Sequence, residues 1–213
     1  MTIPLKNVSN YILGIMFGIG SIAEGRIIFR HKDRYFLEQI QIACGNTMYK
    51  QEKKGKPQYV LKTREFDIDE LKQYGWEERN AEQRNIPTMD DYSDFLRAYI
   101  ELHGSFDYST RYMRKDKKEK YKGLRLRIYG NYIIINSINN ILHRYVKVNS
   151  KTPQLNMNGK TATLYYTSFK EIDTIVNYIS GTPCFEELWE DVDAKLRKPV
   201  IYKDPLKKIL KNF

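Results

Sequence analysis

Two stretches of this chain share one outline of apolar and polar positions. Residues 11–22 ("YILGIMFGIGSI") and 95–106 ("FLRAYIELHGSF") are apolar at nearly every turn, hold small residues near the middle, and end on Gly-Ser before a strand-like run. Ser9 or Asn10 as a cap and Gly20 as a stop predict a helix over about residues 9–19. "GRIIFRHK" then reads as a strand, and "DRYFLEQIQIACG" as a helix opened by Asp33 and stopped by Gly45. "TMYKQEKKGKPQYVLKT" has two alternating arms around Lys53-Lys54-Gly55-Lys56, a hairpin pattern, and "FDIDELKQYG" is a short helix running from Asp67 to Gly75.

The order then recurs. Residues 90–103 form a helix with Asp90 or Asp91 as its cap. "SFDYSTRYMRK" and "GLRLRIYG" are strands around a lysine-rich turn, and "NYIIINSINNILHRYV" is a helix. "PQLNMNGKTATLYYT" is a hairpin turning at Asn158-Gly159, the dipeptide most suited to a tight type I′ turn. "SFKEIDTIVNYISG" is a short helix ending on Gly, and "CFEELWEDVDAKL" a terminal one. Gly20 and Gly104 are 84 residues apart. The predicted organisation is a first repeat at 1–78, a polar linker at 79–89, a second repeat with a terminal helix at 90–198, and a basic tail at 199–213. The first copy looks abbreviated, with one clear strand between Gly20 and Asp33. Two repeats are too few for a solenoid, so two copies meeting at a pseudo-twofold axis are expected.

Composition narrows the class. The 213 residues are 41% hydrophobic and 13% aromatic, enough to bury a core. The longest apolar run is too short to span a bilayer, and "MTIPLKNVSN" lacks a basic stretch followed by an apolar one, so a cytoplasmic protein with no membrane partner is expected. Cys44 and Cys184 are too few for a disulfide framework or a four-cysteine zinc site. His31 and His143 are expected as strand and helix-face residues rather than ligands. The net charge of +10 and pI ≈ 9.4 favour a polyanionic partner, nucleic acid first. Residues 111–127 concentrate that charge, with nine basic side chains against Asp116 and Glu119.

Residues 95–106 resemble the LAGLIDADG motif of homing endonucleases and related maturases. Ala98 falls at the motif's central small residue, Glu101 at its first acid, His103 at its second acid, and Gly104-Ser105 at its end. "ILGIMFGIGS" is similar in the same way, with Gly14 central, Phe17 and Ile19 at the acids, and Gly20-Ser21 last. The resemblance covers nearly the whole chain. It implies an α+β fold of two pseudo-symmetric αββαββα repeats with antiparallel saddle sheets, in one monomeric chain. Closely crossing helices need small side chains at the contact, which makes Gly14, Gly18 and Ala98 the expected helix interface.

In the family the second acid of each motif holds a divalent metal for strand cleavage. Ile19 supplies no ligand, and His103 is a poor one for magnesium. Glu24, Glu101 and Asp107 are the remaining acids near the motif ends. Glu101 lies two residues from His103, which on a helix turns its side chain away by about 200°. The resemblance therefore implies a catalytically degenerate protein with no cofactor, Mg²⁺ entering only if displaced acids restore cleavage.

DNA binding rests on other residues, because the family lays its sheets along the duplex. Period-2 alternation puts Arg125, Arg127 and Tyr129 opposite Leu124, Leu126 and Ile128, and Arg26 and Arg30 opposite Ile27 and Phe29. Lys62 shares a face with Gln58, Arg64 and Val60. Arg111 and the turn lysines Lys53, Lys54, Lys56, Lys117, Lys118 and Lys120 complete the expected contacts, the lysines on phosphates. The leading expectation is a double-stranded DNA-binding regulator derived from a mobile element or prophage. The alternatives are an active, Mg²⁺-dependent homing endonuclease, a maturase that binds structured RNA, and a protein-interaction module.

Overall fold

The computed structural model describes residues 2–53, 56–77, 84–112, 120–157, 159–181 and 185–202. After a 3-10 turn, Leu5–Asn7, the chain enters α1 (Asn10–Ile19), β1 (Gly20–Ala23), β2 (Arg26–His31), α2 (Arg34–Cys44), β3 (Met48–Lys53), β4 (Lys56–Thr63) and α3 (Ile68–Gln73). The second half holds α4 (Ser93–His103), β5 (Gly104–Tyr112), β6 (Lys120–Asn131), α5 (Tyr132–Tyr145), β7 (Gln154–Leu155), β8 (Thr161–Tyr166), α6 (Phe169–Ile179), α7 (Glu186–Arg197) and β9 (Val200–Tyr202).

Local chemistry sets the element ends. Ser9 Oγ accepts the Ile12 amide at 3.3 Å, Asp67 accepts the amides of Asp69 and Glu70, and Asn131 accepts those of Ile133 and Ile134. Asp33 stands at the α2 N-cap without capping it; its carboxylate lies toward His31 and Lys32 instead. Gly45 ends α2 at φ 70°, a left-handed conformation that glycine adopts without a Cβ penalty. α4 starts at Ser93, and Asp91, one of the two expected caps, accepts the Ser93 amide at 2.9 Å.

Each half forms an antiparallel sheet. The first runs β1-β2-β4-β3, and the second runs β5-β6-β8-β7 with β9 added beside β6. The first repeat is therefore not abbreviated: β1 pairs β2 from Gly20↔Phe29 to Ala23↔Arg26. Its turn places Glu24 and Gly25 at φ 54° and 65°, and a glutamate in that conformation carries no signal in the sequence. The start of the basic tail is also structured, since Val200, Ile201 and Tyr202 pair with Gly123, Lys122 and Tyr121. Residues 203–213, the turn positions Lys54, Gly55 and Asn158, and Cys184 lie outside the described residues.

The two sheets turn one face to a shared core, in which α1 and α4 lie side by side. α1 is buried from Tyr11 to Ile19 and α4 from Phe95 to His103, so neither has a solvent stripe. They run parallel at close range. A Cβ on Gly14 would stand 2.6 Å from the Phe95 carbonyl oxygen and 2.7 Å from Ala98 Cβ; one on Gly18 would stand 2.7 Å from Leu102 Cδ1. Hydrogen there is what lets the backbones meet. No described helix is long and apolar enough to cross a membrane.

Candidate nucleic-acid interface

The C-terminal ends of α1 and α4 open onto β1 and β5, placing Ile19 and His103 at equivalent points between the sheets. Ile19 is buried and presents hydrocarbon. His103 is also buried, and its Nε2 lies 2.9 Å from the Gly18 carbonyl oxygen. A carbonyl only accepts, so Nε2 carries the proton and binds α4 to the end of α1. The ring lies tilted against Tyr99 and stands edge-on to Tyr129, with centroids 4.9 and 5.3 Å away. A cavity of about 250 Å³ opens beside it, lined by Gly18, Arg84, Tyr99, His103, Tyr129 and Lys160 among others.

The three other acids do not rebuild a metal centre at these ends. Glu24 is exposed in the β1–β2 turn. Glu101 is buried and accepts hydrogen bonds from Tyr11 Oη, from the Phe185 amide at 3.1 Å and from Trp189 Nε1 at 2.5 Å. Burial pushes its carboxyl above the ordinary range, against the pull of those donors. Burial and the neighbouring Glu101 charge push the Tyr11 phenol upward as well. Asp107 is taken up by arginines on the second sheet. Among the described residues no group of three or more His, Cys, Asp or Glu is arranged to hold a metal. With hydrocarbon at Ile19, a committed imidazole at His103 and a saturated Glu101, the donors present do not fit magnesium, which takes oxygen ligands.

The sheet faces turned away from the core carry the cations. On the first sheet, Arg26 and Arg30 are exposed on β2, and between them Ile28 is buried on the same outer face. Lys62 is half-buried opposite Ile28, Val60 is buried opposite Arg30, and Lys56 is exposed at the hairpin end of β4. Arg26, Arg30, Lys56 and Lys62 make no ion pair among the described residues. Lys53 pairs with Lys56 through its backbone, while Lys117 and Lys118 lie outside the described residues.

On the second sheet the register opposes Ser105 to Arg127 and Asp107 to Arg125. Arg125 holds the Asp107 carboxylate through Nε and Nη2, both at 2.9 Å, and Arg127 Nη2 reaches it at 2.8 Å. The hydrogen bond from Arg125, followed by the charges of both arginines, draws the Asp107 carboxyl below its usual value despite partial desolvation. Tyr165 lies under Arg125, 5.7 Å from ring centre to guanidinium. Tyr129 is exposed, and Lys120 sits over the Tyr112 ring at 5.2 Å.

Arg111, expected as a DNA contact, is engaged within its own sheet. Its guanidinium lies across Gly123 and donates to the Thr167 carbonyl at 2.5 Å and to the Leu124 carbonyl, so it fastens strands of its own sheet. Sequence reasoning missed Arg84, which is fully buried, donates from Nη2 to the Met16 carbonyl at 3.3 Å, and lies against Phe17 and Trp76. Trp76 Nε1 donates to the same carbonyl at 3.0 Å. A lone arginine in a polar stretch carries no mark of burial. The part of the predicted linker from residue 84 onward thus anchors the end of α1.

No family model matches the chain, and no curated protein matches it in sequence. Solved structures do match over nearly its whole length. The LAGLIDADG meganuclease I-AabMI bound to uncleaved DNA superposes with a TM-score of 0.62 at 13% identity, covering 96% of this chain and 97% of its own. The homing endonuclease I-LtrWI bound to target DNA gives 0.60 at 12% identity, covering 88% of each chain. I-SmaMI bound to an uncleaved DNA target in the presence of calcium ions gives 0.59 at 10%, covering 90% of this chain and 92% of that one. Two antiparallel sheets around a close helix pair, shared across those lengths, make this the α+β fold of the LAGLIDADG homing endonucleases.

Proposed function

We propose that this chain binds double-stranded DNA along its two outer sheet faces and does not cut it. The observation that carries the reading is the outward set of Arg26, Arg30, Lys62, Arg125 and Arg127, borne on a fold that other proteins carry on DNA. Arginine forks meet base edges and lysines neutralise phosphates, with Lys56 and Lys120 placed at strand ends for the second task. Two features support the loss of cleavage: Ile19 and His103 where the fold family places acids, and the commitment of Glu101 and Asp107 elsewhere. A DNA reader of this kind suits a regulator descended from a mobile element or a prophage. The chain acts as a monomer in this reading, because one chain already supplies both helices and both sheets.

Supercoiled plasmid incubated with the full chain and Mg²⁺ or Mn²⁺ tests both halves at once. Retarded mobility with no nicked or linear product is the expected result. Clean nicking would establish a divergent endonuclease, and free plasmid at all concentrations would remove DNA as the partner. The exposed Tyr49, Tyr112 and Tyr129 favour a second reading, the binding of structured RNA through base stacking. Competition of folded RNA against duplex DNA separates the two.

A further inference from the structure

We propose that Asp107 is a positioning residue that aims Arg125 and Arg127 as a pair of guanine readers in the DNA major groove. The inference rests on the DNA-binding reading and names what one patch of that surface recognises.

One edge of each guanidinium is occupied and the other, among the described residues, is not. Asp107 takes the Nε and Nη2 hydrogens of Arg125, a two-point contact that fixes the plane of the group. Arg127 is held along the same edge, with Nε to Ser105 Oγ at 3.2 Å and Nη2 to Asp107 at 2.8 Å. Tyr165 supports Arg125 from below. In both residues the opposite edge, Nη1 with the second Nη2 hydrogen, has no acceptor among the described residues. Two parallel N–H groups on one edge match the N7 and O6 acceptors that guanine shows in the major groove. The groups are accessible: side-chain exposure is 27% for Arg125, 39% for Arg127 and 33% for Asp107.

Placement agrees with this role. Arg125 and Arg127 are two residues apart on β6, so they stand about 6.6 Å apart on one face, roughly two base-pair steps. Their like charges would push them apart, and the carboxylate between them removes that repulsion. Free arginines would swing among phosphates; a braced pair presents a set geometry, which reads sequence rather than charge. The first sheet has no equivalent, as Arg26 and Arg30 are separated by Ile28 and carry no described carboxylate partner.

The test is selection of randomised duplexes by the full chain, followed by affinities for duplexes with single base pairs changed. The wild type is expected to require G·C at two nearby positions, each change weakening binding by roughly five- to hundredfold. Asp107→Asn should flatten the preference at those positions while leaving affinity for unrelated duplex equal or higher, since a negative charge is lost. Asp107→Glu should restore part of the preference. Arg127→Lys, which keeps the charge and loses the fork, should flatten one position only and guards against a folding artefact, as does a thermal melt of each variant. An unchanged profile in Asp107→Asn, or a wild type indifferent to G·C pairs, overturns the inference and leaves DNA binding standing. A wild type that binds no duplex overturns the DNA-binding reading and this inference with it.

Discussion

The two central helices do the same packing with different chemistry. α1 has no charged residue and is apolar except for Asn10 at its start and the Tyr11 hydroxyl, with glycines wherever α4 comes close. α4 is just as buried but carries Arg97, Glu101 and His103 into the core. Each of these is partnered. Arg97 pairs with Asp94 at 2.6 Å, donates to the Ile179 carbonyl at 3.3 Å and lies over the Tyr11 ring; Glu101 gathers three donors; His103 closes on Gly18. The lesson is that this fold requires little of its helix pair beyond small residues at the crossing and a glycine at the exit. What fills the remaining positions differs between the two helices, apolar side chains in α1 and internally tied charges in α4.

The largest test of that comparison is at the crossing. Gly14→Leu should cost upwards of about 3 kcal/mol, because the incoming atoms meet the backbone of Phe95. Gly18→Ala should cost about 1 kcal/mol, since its neighbour is the movable end of Leu102. Urea unfolding measures both, and equal effects would deny that the backbones touch at Gly14.

Next in size is Glu101→Ala, which strands the Trp189 indole and the Phe185 amide and should cost about 2–3 kcal/mol by the same measurement. A neutral outcome would mean that α4 could be as apolar as α1. The double variant Arg125→Ala with Arg127→Ala should change stability by no more than about 1 kcal/mol, because these pairs are part-exposed. Its duplex affinity, read by fluorescence anisotropy, should fall by roughly tenfold or more, and wild-type affinity would refute the face assignment.

The smallest effect concerns acid. Asp107 has a lowered folded-state value, so its contribution is present above the ordinary 3.8 and is lost as pH falls through the lowered midpoint. Carboxyl NMR should place that midpoint below 3.8, and Arg125→Ala should move it back up. A midpoint at or above 3.8 in the wild type would show that the pair does not persist in solution.

Much of this architecture is legible in the sequence where local signals are strong. Ser9 and Gly20 bracket α1, Asp67 opens α3, and Leu124, Leu126 and Ile128 alternate with Arg125 and Arg127 along β6. β1 is not legible, because four residues make too short a pattern and its turn relies on Glu24 at positive φ. The bracing carboxylate is hidden for a different reason. Asp107 meets Arg125 only through the β5–β6 register, which alternation on either strand alone leaves open. Arg84 is hidden by distance, since its acceptor on Met16 is 68 positions away.

The most direct test of DNA binding by the outer sheet faces is its salt dependence. If Arg26, Arg30, Lys56, Lys62, Lys120 and the β6 arginines lie along DNA, log K should fall linearly with log salt, by about 0.9 for each phosphate neutralised, giving a slope of several units. A flat response, or no binding at low salt, would contradict the claim that these sheet faces hold DNA.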